Sequence, residues 1–224
     1  MSRVASATGN EGSEADRAAF REVRATLGQA FFSEKTDYPP NDVFGPLLHA
    51  PRVAQKLIEL GGALRNFGAA GGDGQRALPE DFVEFVAFVV FTQIHAEAVS
   101  RGQAFAYRRP MFNHLPRAVE SGLRPEAIQA LRSRDDAALL PKERELAEFV
   151  RAVLAGSVDD QRWARMQDRL GARRTLETVA YTLLNFFFCR LESALGLKDA
   201  TEAELDARVK ECTRSQRGSK ELSL

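Results

Sequence analysis

Cysteine is nearly missing from this chain. Its 224 residues hold two, Cys189 and Cys212, which provide neither a disulfide framework nor the spacing of a paired metal site. Net charge is missing too, with 31 Lys and Arg against 31 Asp and Glu. That balance removes the electrostatic case for nucleic-acid or anionic-membrane partners. Residues Met1 to Ala15 are small and polar and lack the apolar core of a signal peptide. The longest apolar runs are interrupted by Glu84, His95 or Asn185 and are expected to fall short of a membrane span. No segment alternates apolar and polar residues as a half-buried strand would. These absences point to an all-α, cytoplasmic protein with no membrane or nucleic-acid partner and no metal.

What is present is core. An apolar share of 44% suits a folded domain, and near-zero net charge makes self-association easier. A disordered tail is expected over 1–13, a single helical domain over 14–212, and a second tail over 213–224. Ser13-Glu14-Ala15-Asp16 starts a first helix through Phe20, Val23 and Leu27, stopping near Gly28. Tyr38-Pro39-Pro40 breaks the chain. Pro51 opens a helix whose predicted inner stripe is Val53, Leu57, Leu60 and Leu64. The stretch Gly68 to Gly74 is not a phosphate loop, because no strand precedes it and no Lys-Ser or Lys-Thr follows. It reads as a connector.

The chemistry concentrates between Leu78 and Leu131, which holds two of the three histidines. Pro79 to about Gly102 reads as a helix apolar nearly all round, hence a core helix. It carries Glu84 in the run Phe82-Val83-Glu84-Phe85-Val86-Ala87-Phe88. A second helix, expected from Pro110 to Ser121, carries His114. A buried carboxylate must find a partner or stay protonated, which suits Glu84 to proton donation; a salt bridge to arginine is the plainer alternative. His114 reads as a general acid/base or a carboxylate partner, or else as a helix-start histidine bonded to a carbonyl. His95 is a further acid/base candidate or a polar filler between helices. Glu84 and His95 share one stripe about 16 Å apart along the axis, too far to touch. Arg108 and Arg109 could grip a carboxylate bidentately, or form a solvated corner. Farther on, helices are expected from Pro141 to Gly156, through Trp163 and Met166 to Gly171, from Arg173 to Gly196, and from Thr201 to Cys212. Glu177, Tyr181 and Asn185 recur at four-residue steps, so Tyr181 sits on a polar stripe that is either structural or a pocket wall.

The phrase His114-x-Pro116-x-Ala118-x3-Gly122-Leu123-x-Pro125-Glu126-x-Ile128-x2-Leu131 resembles the carboxymuconolactone decarboxylase and alkyl hydroperoxidase D-like family. Lys142-Glu143-Arg144-Glu145-Leu146 and Val158-Asp159-Asp160-x2-Trp163 continue the likeness over roughly residues 44 to 197. The resemblance implies an alkyl hydroperoxidase D-like helical bundle with N- and C-terminal helical extensions, and a homo-oligomer. It also implies cofactor-free lyase chemistry on a carboxylated small molecule. Redox members carry two cysteines before the histidine, but Tyr107 and Pro110 stand at those positions, and neither can attack or resolve a disulfide. The family acid position, counted back from His114, falls on His95. Glu84 fits that role only with an insertion of about eleven residues, three helical turns. His114, His95 and Glu84 are therefore the expected catalytic residues, with Tyr107, Arg108, Arg109 and Tyr181 toward substrate. Two other readings stay open: a non-catalytic binding or assembly protein of the same fold, and peroxide defence through a non-standard residue set.

Overall fold

The computed structural model describes residues 3–31, 43–65, 78–214 and 222. Among these residues every regular element is helical and none is a strand. In chain order the helices are α1 (Glu14–Phe31), α2 (Phe44–Leu47), α3 (Pro51–Arg65), α4 (Glu80–Ser100) and α5 (Arg108–Glu120). They continue as α6 (Pro125–Ser133), α7 (Pro141–Ala155), α8 (Asp160–Leu195) and α9 (Glu202–Arg214), with a short 3-10 turn at Asp136–Ala138. The expected proline breaker at Tyr38–Pro40 and the glycine connector at Gly68–Gly74 lie outside the described residues.

The chain packs as two compact units. The first comprises Met1–Arg76 with Arg190–Lys198, the second Ala77–Cys189 with Asp199–Leu224. In the first, α1 packs on α3. The predicted inner stripe of α3 needs correction, because Val53 and Leu60 are exposed at 53% and 44%. The buried positions are instead Pro51, Ala54, Ile58, Gly61 and Leu64. Both sets repeat at three and four residues, so periodicity alone could not choose between them; the side with Ala54 and Gly61 permits closer approach. Residues 3–13 form no helix, but Arg3 N–H donates to Leu195 O at 2.7 Å and Ala7 N–H to Gly45 O at 3.0 Å.

The second unit is organised around α4. Every residue from Asp81 to Thr92 is buried, because α5, α6 and α7 pack against it. Acids Glu80 and Asp81 lie in the first turn, where the helix dipole favours them. The interruptions at Glu84 and His95 do not keep α4 below span length: its 21 residues are apolar enough to cross a membrane. Of its most apolar window, 72% is buried inside the protein, so neighbouring helices rather than lipid meet those side chains.

The predicted end of one helix and start of the next is found at Gly171, whose non-helical φ 77° and ψ 161° divide α8 into two helices across a kink. Helix α5 starts two residues earlier than expected, at Arg108, so both arginines are helical. It ends in a left-handed Gly122 with φ 93°, where the N–H of Leu123 reaches back to Ala118 O at 2.9 Å. That return, which glycine allows without steric cost, turns the chain into α6.

Candidate functional site

Helices α4 and α5 run antiparallel side by side, which brings Glu84 opposite His114. The Glu84 carboxyl is fully buried, and its Oε2 lies 2.9 Å from Nδ1 of His114, whose side chain is 25% exposed. The Phe91 ring, two turns along α4 from Glu84, meets the imidazole edge-on at 4.9 Å between centroids. The imidazole is thus fixed at one nitrogen by an acid and along one edge by an aromatic wall. An ionised carboxylate can only accept, so against ionised Glu84 the proton sits on Nδ1 and Nε2 is the nitrogen available for chemistry. A buried acid that orients a part-exposed histidine is an arrangement suited to general acid/base work. His114 stands in the middle of α5 rather than at its start, and its partner is a carboxylate rather than a carbonyl.

His95 lies at the other end of α4 and is not part of this pair. Its Nδ1–H donates to Ala106 O at 2.5 Å. It lines a separate cleft of about 210 Å³ in the second unit, together with Thr92, Met111, Arg132, Ser133 and Glu202. No lining side chain of that cleft is Glu84 or His114.

The residues expected to hold substrate are occupied. Tyr107 is buried, takes a left-handed backbone (φ 59°), and packs its ring on Phe105 with centroids 4.9 Å apart. Arg108 Nε donates to Glu202 Oε2 at 2.6 Å. Arg109 lies over the Phe112 ring at 5.1 Å, with Arg208 near the same ring at 5.4 Å. The Asp199 carboxylate accepts the backbone N–H groups of Ala106, Arg109 and Ala200 at 2.8, 2.7 and 2.9 Å, fixing the turn into α5. The two arginines are therefore neither a free anion grip nor a loosely solvated corner. Tyr181 is buried in α8, its backbone carbonyl accepting from Asn185 Nδ2 at 2.8 Å, and does not line the cleft.

Acidic partners from α9 were invisible in sequence; its start is capped reciprocally, Thr201 N–H donating to Glu204 Oε2 at 2.7 Å and Glu204 N–H to Thr201 Oγ1 at 3.2 Å. The Glu202 carboxyl is drawn below its usual range: partial burial opposes this, and Arg108 and Arg132 outweigh it. No family model, curated protein or solved structure matches the chain. Among the described residues, no group of three or more His, Cys, Asp or Glu is arranged to hold a metal ion. Neither cysteine is in a disulfide, both are buried, and burial pushes the Cys212 thiol up.

Proposed function

We propose that this chain is a cofactor-independent acid/base enzyme resembling carboxymuconolactone decarboxylase, acting on a carboxylated small molecule by decarboxylation or a related proton transfer. The bond from fully buried Glu84 to part-exposed His114 carries the reading. In decarboxylation the carbon–carbon bond electrons pass into a sink on the substrate, carbon dioxide leaves, and the resulting carbanion or enolate takes a proton. Imidazolium Nε2–H of His114 would deliver that proton, while Glu84 holds Nδ1–H and stabilises the charged ring. A substrate carboxylate that used Arg108 would have to compete with Glu202.

We propose with it that the helices form an alkyl hydroperoxidase D-like bundle. It is supported by the antiparallel α4–α5 pair with facing Glu84 and His114, followed by the Gly122–Leu123 corner and short α6. A homo-oligomer is proposed with it. Leu176, Leu183 and Phe187 share one face of α8 and are 58%, 48% and 41% exposed. Leu183→Asp with Phe187→Asp is expected to shift elution in size-exclusion chromatography to the monomer.

The function is tested by incubating β-keto acids and carboxylated lactones with the protein in deuterium oxide and following carbon dioxide release and deuterium uptake by NMR. Glu84→Gln and His114→Ala are expected to lower turnover by roughly 10²- to 10⁴-fold. His95→Ala is expected to retain it. A second reading, a non-catalytic binding or assembly protein, is favoured by the Phe82, Phe85, Phe88 and Phe91 packing and by the separation of His95 from the pair. Absence of turnover and deuterium uptake across the panel would select it. Peroxide defence by a non-standard residue set would require peroxide consumption with a dithiol reductant, although Tyr107 and Pro110 are buried where thiols would stand.

A further inference from the structure

We propose that the cleft beside His95 is a binding site for a small organic cation bearing a primary ammonium group, separate from the Glu84–His114 pair. Its hydrogen-bond inventory carries the inference. Nδ1 of His95 must hold a proton because it donates to a carbonyl, so the neutral ring offers Nε2 as an acceptor. Thr92 Oγ1 spends its hydrogen on Phe88 O at 2.8 Å, and Ser133 Oγ spends its own on Gln129 O at 2.9 Å. Both hydroxyls therefore present lone pairs. Glu202 adds a carboxylate that can only accept.

The positive charge at the cleft is already answered. Arg132 Nη2 lies 3.0 Å from Glu202 and 2.6 Å from Asp206, and Arg108 is paired with Glu202. On the lining itself the Arg132 guanidinium is answered by Glu202 and by neighbouring Asp206, Gln129 can donate or accept, and Thr92, His95 and Ser133 present acceptors. An ammonium, with three N–H donors and one charge, matches such a surface; a carboxylate would meet lone pairs at Thr92, His95 and Ser133. A volume of about 210 Å³ is on the order of seven waters at ~30 Å³ each, room for an ammonium on a short carbon chain. Met111 and Leu205, also on the lining, supply apolar contact for such a chain. Eleven residues of helix separate His95 from Glu84, about 16 Å along α4.

Titration of the full-length protein with n-butylammonium and with butyrate, followed by ¹H–¹⁵N NMR, tests this directly. Butylammonium is expected to give saturable shifts at Thr92, His95, Gln129 and Ser133, and butyrate none. Glu202→Gln and Ser133→Ala, both at exposed residues of the lining, should each weaken butylammonium binding about three- to tenfold. His114→Ala should leave it unchanged, so loss of this site and failure of the acid/base reading are separate results. Non-saturating shifts, equal or tighter binding of butyrate, or indifference to both cleft variants would overturn the proposal.

Discussion

Removing Glu84 and His114 together should cost less stability than the two single removals summed. The Glu84 side chain is 1% exposed, so it relies on partners inside the protein. Truncating one partner of a buried ion pair costs about 3–5 kcal/mol, because the remaining charge stays desolvated. His114 is 25% exposed, and water entering the vacated space should reduce the cost of His114→Ala to about 2–3 kcal/mol. Combining it with Glu84→Leu removes the stranded carboxylate, so the double variant should be less destabilised than the two single losses summed, by about 1–2 kcal/mol. The assay is urea unfolding at neutral pH by far-ultraviolet circular dichroism on wild type, both single variants and the double. At about 2 kcal/mol per M, His114→Ala alone should lower the midpoint by about 1 M. Additivity within about 0.5 kcal/mol would refute the coupling on which the site rests.

Arg134 ends α6 in a left-handed conformation (φ 58°) and is exposed, so Arg134→Gly should stabilise by about 0.5–1 kcal/mol, read from the thermal midpoint. Arg124 pairs with buried Glu143 through two bonds, at 3.1 and 2.7 Å; Arg124→Met should cost about 3 kcal/mol in urea unfolding by stranding that carboxylate. The Asp136 carboxyl is held below its usual 3.8, chiefly by its hydrogen bonds from Arg151. A folded value below the unfolded one stabilises above pH about 4, and that contribution is lost as pH falls through the folded value. Arg151→Met should therefore flatten the acid limb of the urea midpoint against pH, and an unchanged limb would contradict the assignment.

Composition and helical period made the all-helical character legible, and the fully apolar run around Glu84 marked α4 as the core helix. Side-chain partners were less legible, because they depend on which helix faces which. The stripe of α3 was ambiguous between two interleaved sets, and only packing against α1 selected Ala54 and Ile58 over Val53 and Leu60. Counting by family spacing placed His95 at the acid position, whereas antiparallel packing of α4 on α5 brings Glu84, thirty residues before His114, into bonding distance. Arg108 resembled a substrate grip because nothing local revealed Glu202, ninety-four residues later, as its partner. Helix α9 looked like an ordinary surface helix by its amphipathic pattern, yet it supplies acids to Arg108 and Arg132.

In the proposed chemistry Glu84 sets the proton on His114 Nδ1 and leaves Nε2 for the substrate. Long-range ¹H–¹⁵N NMR of the imidazole in wild type and in Glu84→Gln measures this directly. Neutral His114 should be the Nδ1–H tautomer in wild type, with that preference weakened by Glu84→Gln. A neutral ring protonated on Nε2, or a tautomer indifferent to Glu84→Gln, would contradict it.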